Sequence, residues 1–256
     1  MKRKLIYILT GLLLSMPLMA QNKSRENEKI KLKDTVAVKN KDSKDTKDKD
    51  NKNSKDKFND NDWKFHVRFA PAVSWAPASG NIKSDGAGFS FDITVNAEKY
   101  FREKYAFFIG VSYIRLGGKF KNISKVSNIE FKSIDNVLEP KETAKYAIQY
   151  VTIPVGLKLL TPKYRNLLYY FQGGLLPGFK VGSSIKLESE DNQSFTDDLN
   201  LMTCGVQLSA GGMYPLSDSN FIKFGLNFNR FFTDALSSSD MKIYPTSLGA
   251  VLGFVF

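Results

Sequence analysis

Two residue types from which rigid or catalytic frameworks are built are almost missing from this chain of 256 residues, which has one Cys and one His. A single Cys excludes an internal disulfide, and one His beside one Cys cannot supply the four ligands of an ordinary zinc site. With His66 as the sole imidazole, general-base chemistry has little to draw on and no Ser, His and acid order can be assembled. Phosphate loops, dinucleotide fingerprints and nucleic-acid modules are absent as well. The residue inventory therefore assigns no catalytic, cofactor-binding or metal residue and no nucleic-acid partner. Cys204 alternates onto an apolar face, where a thiol is a small packing group and not a reactive one.

What is present falls into three stretches. Lys2, Arg3 and Lys4 precede an apolar run from Leu5 to Leu14, and Ser15 to Ala20 lead into polar Gln21. This is the layout of a secretory signal, and the run is shorter than the roughly 20 residues of a membrane anchor. Residues 1–20 are thus expected to be a signal peptide cut after Ala20, with no Cys following to carry a lipid. Residues 21–62 hold 13 Lys and Arg against 10 Asp and Glu, with seven Asn and few large apolar side chains. Such a segment cannot bury enough surface to offset ordering its backbone, so we expect a disordered, solvated spacer. Asp48, Asp50 and Asn53 echo a calcium loop, but Lys52 stands at a ligand position and no Glu closes it. The rest of the chain keeps 21 basic and 16 acidic residues, so the excess positive charge is spread thinly.

After Asp62 the period becomes two. Trp63, Phe65, Val67 and Phe69 alternate with Lys64, His66, Arg68 and Ala70, and Phe89, Phe91, Ile93 and Val95 with Ser90, Asp92, Thr94 and Asn96. This is the signature of a strand with one apolar face and one polar or small face. Six further segments repeat it, around residues 107–113, 150–159, 169–182, 202–214, 222–229 and 248–256. The connections are predicted near 76–87, 101–104, 117–143, 161–165, 186–198, 215–220 and 233–242, alternately long and short. A soluble sandwich has no reason to keep that beat, whereas a membrane barrel has long external loops and short periplasmic turns. The fold expected is all-β: an eight-stranded antiparallel transmembrane β-barrel over residues 63–256, preceded by a disordered periplasmic tail.

The chain ends on Phe256 with Phe254 two before it. This resembles the C-terminal insertion signal of outer-membrane barrels, which implies that the barrel assembly machinery reads these two residues. The stretch Tyr150-Val151-Thr152-Ile153-Pro154-Val155-Gly156-Leu157-Lys158 resembles the Tyr-x-x-Ile-Pro-x-x-x-Lys strand of the outer-membrane β-barrel domain family that includes the PorT-like proteins. The resemblance implies a small barrel in the bacterial outer membrane, covers about Trp63 to Phe256, and transfers no catalytic residue.

On these phases Lys64, His66, Arg68, Asp92, Glu98, Tyr150, Lys158, Tyr170, Lys180 and Lys223 point into the lumen, with Gln172, Gln207, Asn227 and Asn229. Two readings follow. A barrel of eight strands is just wide enough for side chains to fill it, which makes these residues a paired, hydrogen-bonded plug. Alternatively, five cations against two carboxylates would line a narrow anion-preferring pore. Function divides the same way: a non-enzymatic surface protein whose external loops and tail contact an envelope or secretion-system partner, or a narrow channel or small-ligand transporter. The partners common to both are outer-membrane lipid and the assembly machinery. The longest loop, 117–143, mixes Lys with Phe, Ile, Val and Leu. It is expected either to continue the strands as a hairpin with an edge open to a partner or to pack on its own barrel.

Overall fold

The computed structural model describes residues 63–102, 104–124, 128–131, 134–187, 199–217, 219–236 and 241–256. The segments expected to be a signal peptide and a disordered tail, residues 1–62, lie outside the described residues. Among the described residues there is no helix. Eight long strands form in chain order: β1 (Trp63–Trp75), β2 (Ile82–Arg102) and β3 (Tyr105–Asn122); β4 (Thr143–Thr152 and Val155–Leu160) and β5 (Leu168–Leu175 and Gly178–Lys186); β6 (Met202–Thr203 and Gly205–Pro215), β7 (Phe221–Phe231) and β8 (Thr246–Val255). Each pairs antiparallel with its neighbours in sequence, and β8 returns to β1 with Val255 opposite His66 and Thr246 opposite Trp75. The ring is therefore closed, which removes every unpaired edge along the paired length, as a lipid environment demands. The eight-stranded antiparallel barrel expected from the alternation is the fold observed.

The period-two pattern works because each strand has a different solvent on its two faces. Outward side chains such as Phe69, Phe89, Ile93, Val111, Leu157, Phe171, Leu226 and Leu252 remain exposed in the isolated chain. Their rings meet across strands, as in Phe69 with Phe91 at 6.3 Å and Phe91 with Tyr113 at 6.0 Å between centroids. An aromatic and aliphatic surface of this kind is stable only against lipid. The inward alternates are almost all buried.

Three features depart from the simplest reading of the alternation. First, β2 and β3 run well beyond the segments 89–98 and 107–113. β2 continues to Ile82, paired with Asn122 of β3, whereas its pairing with β1 stops at Gly88 opposite Ser74. Half of the long first connection predicted at 76–87 thus belongs to β2, and Ala76–Asn81 makes the link, with Ala78–Gly80 paired to Met241–Ile243. β2, β3, β4 and β5 together rise as a four-stranded wall at the long-loop end. Second, β4 and β5 break at Ile153-Pro154 and Leu176-Pro177. Proline donates no ladder hydrogen bond, and the backbone is re-keyed there by Ile153 N–H to Pro177 O (2.8 Å) and Gly110 N–H to Pro154 O (3.0 Å). Third, loop 123–142 contains the short hairpin Ile129–Phe131 with Ile134–Leu138. Ile129 and Leu138 are buried in the barrel's own long-loop-end core. Of the two readings of this loop, packing on its own barrel is the one observed at these positions.

Candidate functional site in the lumen and at the long-loop end

The lumen is filled in layers. At the short-turn end Tyr100, Ala106, Leu160, Leu168, Tyr170, Met213, Phe221 and Val255 form one apolar cluster. At the long-loop end Ile114, Leu116, Phe120, Tyr146, Ile148, Tyr150, Leu176, Ile185 and Phe231 form a second, and Leu199, Leu236 and Ile243 of the loops fold down onto it. Tyr150 and Phe231 stack there with centroids 5.3 Å apart. Between these two apolar layers lies the polar interior.

Its first half is built on Glu98, fully buried on β2. One carboxylate oxygen faces His66 Nδ1 at 2.8 Å, and the other accepts from Lys158 Nζ at 2.7 Å and from the Tyr100 hydroxyl at 3.0 Å. The Asn96 amide lies 3.1 Å from His66 Nε2, so the buried ring is held between the carboxylate on one side and the amide on the other. Lys223 Nζ donates to Gln172 Oε1 at 2.8 Å and sits 4.2 Å from the centroid of the Tyr170 ring, with Lys158 Nζ 5.8 Å from the same ring. A buried ammonium without a carboxylate partner gains from such an aromatic face.

The second half is built on Arg68 and Asp92, joined by Nη2 to Oδ2 at 2.8 Å. The hydroxyls of Thr94 and Ser112 both donate to Asp92 Oδ1. Arg68 Nη1 reaches Asn227 Oδ1 at 3.4 Å, Asn227 donates to Asn229, and the Gln207 amide lies beside the guanidinium in the orientation that turns its oxygen toward it. Charges desolvated to this degree are tolerated only when paired and hydrogen-bonded. Each of the two carboxylates meets that condition.

His66, Arg68, Asp92, Glu98, Tyr150, Lys158, Tyr170 and Lys223 of the predicted lumen set are all buried inside. The structure brings seven of them into the polar interior and its borders, and it puts Tyr150 in the long-loop-end apolar layer. The other two lie at the rims. Lys64 is half-buried and reaches Ser219 O of a short turn at 3.5 Å. Lys180 is half-buried at a bulge of β5 and donates to Leu199 O at 2.6 Å. Three fully buried cations thus face two carboxylates, where the alternation alone counted five. Phe108, unremarked in the sequence, is fully buried on the inward face of β3. A Cβ at Gly156 or Gly174 would come within 2.8 Å of its ring tip, so these inward glycines are the notch that admits it. At the closing strand, Phe256 exchanges two 2.8 Å backbone hydrogen bonds with Phe65, and its ring lies 6.0 Å from that of outward-facing Phe254.

Among curated proteins none matches the chain. Among solved structures it is similar to neisserial surface protein A, at 15% identity over 74% of this chain and 95% of that one with a TM-score of 0.40. It is similar to OprG of Pseudomonas aeruginosa, at 12% identity over 77% and 97% with a TM-score of 0.42. The outer-membrane protease OmpT of Escherichia coli aligns at 7% identity over 77% and 96%, with a TM-score of 0.41. The family model described as the outer membrane protein beta-barrel domain matches residues 65–240, well over half of the sequence. A closed ring of eight strands, an apolar outer belt and that match together make this chain a member of the outer membrane protein beta-barrel domain family, placed in the bacterial outer membrane.

Proposed function

We propose that this protein is a non-enzymatic envelope barrel that acts by contact, through its long-loop end and its tail, on an envelope or secretion-system protein. In this reading the PorT-like resemblance of the Tyr150–Lys158 strand holds, the short turns and the tail over 21–62 face the periplasm, and the long loops face outward. The single observation that carries it is the sealed lumen: a paired polar interior between two apolar layers, with loop residues Leu199, Leu236 and Ile243 closing one end. A tube filled in this way is a rigid pedestal. The sole imidazole is fully buried between Glu98 and Asn96, which supports a non-enzymatic role, since a general base must reach a nucleophile. Phe254 and Phe256 serve in assembly, offering the terminal aromatic edge to the barrel assembly machinery.

One observation favours the channel reading, namely Lys223, a third buried cation with no carboxylate against it. Planar-bilayer recording separates the two. The contact reading expects electrical silence, with the protein recovered among crosslinked envelope partners in intact cells. Steady anion-selective openings lost on Lys158→Ala would replace it with the channel reading. Deleting Phe256 or making Phe254→Asp is expected to lower the folded outer-membrane fraction and leave protease-sensitive chain; unchanged surface levels of both would remove the assembly role.

A further inference from the structure

The four-stranded wall at the long-loop end carries a charge arrangement that its own fold does not explain. Lys119 of β3 is directly opposite Lys145 of β4, and Lys145 is directly opposite Lys186 of β5. One step further along the wall, Lys83 of β2 is opposite Lys121 of β3. Strands are about 4.8 Å apart, so the three ammoniums of the first row rise from a strip roughly 10 Å wide, with neighbouring lysines well within the screening length of about 8 Å in physiological salt. Like charges directly opposite one another weaken a sheet. Among the described residues none of the three has an ion pair. The row borders a cleft of about 320 Å³ also lined by Asp85, Thr143 and Leu187. Asp85, the carboxylate in that lining, is held by the Thr143 hydroxyl at 2.7 Å.

The direction of the row identifies its partner. The opposite face of the same strands, Phe120, Ala144, Tyr146 and Ile185, is the buried apolar layer, so the lysines are on the outward face. That face is continuous with the lipid belt: along β3 it reads Phe107, Ile109, Val111, Tyr113, Arg115, Gly117, Lys119, Lys121. Six residues separate Tyr113 from Lys119, roughly 20 Å along the strand and about 15 Å of height at an ordinary barrel tilt. A lysine stem lying down the barrel wall brings its ammonium back to headgroup level. The row therefore stands beside the membrane surface and faces sideways into lipid, not upward to a soluble ligand.

We propose that Lys119, Lys145 and Lys186 form a clamp for the anionic phosphate groups of lipid A headgroups around the barrel, which a zwitterionic headgroup with its own cation does not replace, fixing the depth of the barrel in the bilayer. The clamp does not depend on whether the loops dock a protein partner. Its test is a sign reversal in stability. The full-length protein and the triple variant Lys119→Gln, Lys145→Gln, Lys186→Gln are reconstituted in phosphatidylcholine bilayers, alone or with lipid A that bears its phosphates or has lost them. In neutral bilayers the triple variant should melt higher, because cross-strand repulsion is relieved. With phosphorylated lipid A the order should reverse. Native mass spectrometry should find the phosphorylated lipid held by the unsubstituted protein on the order of a hundredfold more tightly than by the triple variant. Dephosphorylated lipid should show no such preference, and Lys104→Gln at the opposite end should change neither measurement. If the triple variant does not fold, Lys145→Gln alone, at the centre of the row, should give the same reversal with about a fivefold loss. Equal retention by both proteins overturns the proposal. So does a lower melting point for the triple variant already in neutral bilayers, the result expected if acidic Glu188, Glu190 and Asp191 of the chain itself cover the row. Reproduction of the reversal by millimolar inorganic phosphate without lipid A overturns the lipid as its source.

Discussion

The polar middle of the lumen and the two apolar layers that close it occupy the same tube and are filled on opposite principles. In the middle, Glu98 and Asp92 each hold several donors, and every contact is directional. In the layers, Leu116 or Met213 is held only by the shape of its neighbours. The difference teaches that the charges depend on the layers. Shielded from water at both ends, the ion pairs gain in strength, and the loss of one partner becomes correspondingly costly. The layers tolerate rearrangement, because dispersion has no fixed partner.

The comparison is broken most severely at Glu98. Glu98→Ala leaves His66 and Lys158 without their shared carboxylate beside Lys223, and we expect a loss of about 3–5 kcal/mol, read as a lower urea midpoint for the folded band in bilayers or detergent. Leu116→Ala at the long-loop end and Met213→Ala at the other should each cost about 2–5 kcal/mol by leaving a cavity, with the spread set by how far the site collapses. The two layers should respond alike; a near-zero cost at one would mean that this end is not packed as a seal. A finer test replaces both members of the second pair. Arg68→Met with Asp92→Leu should cost less than Asp92→Leu alone, since an apolar pair leaves no unpaired buried charge. Equal unfolding midpoints for the single and double variants would show that Arg68 and Asp92 are not coupled. The smallest effect belongs to the tail. Deleting Asn22 to Lys57 should leave heat-modifiable migration unchanged, because that segment has little apolar surface to contribute to either region. Loss of the folded band would make the tail part of the barrel.

The lumen set was legible because inward and outward faces meet different solvents, so a simple alternation separates His66, Arg68, Asp92 and Glu98 from Phe65, Val67, Ile93 and Val95. Three features were not legible. Phe108 has the inward phase but an outward kind of side chain, and the space it fills is made by Gly156 and Gly174 of two other strands. The extra length of β2 and β3 was hidden for a different reason: polarity marks where the hydrocarbon core ends, while ladder hydrogen bonds continue beyond it through Lys83, Lys119 and Lys121. The lysine row could be found only once three strands were in register, since 26 residues separate Lys119 from Lys145 and 41 separate Lys145 from Lys186.

By itself the sequence determined the number of strands, their order, the face most strand side chains take and the end at which the long connections lie, since all of these follow from local periodicity and from a membrane that admits only a closed sheet. Only the tertiary structure decided which cation meets which carboxylate, that Lys223 is left with Gln172 and Tyr170, and that Leu199, Leu236 and Ile243 close the lumen. Those pairings cross the tube between strands distant in the chain. They depend on register and on side-chain length across the interior, neither of which any local stretch of sequence specifies.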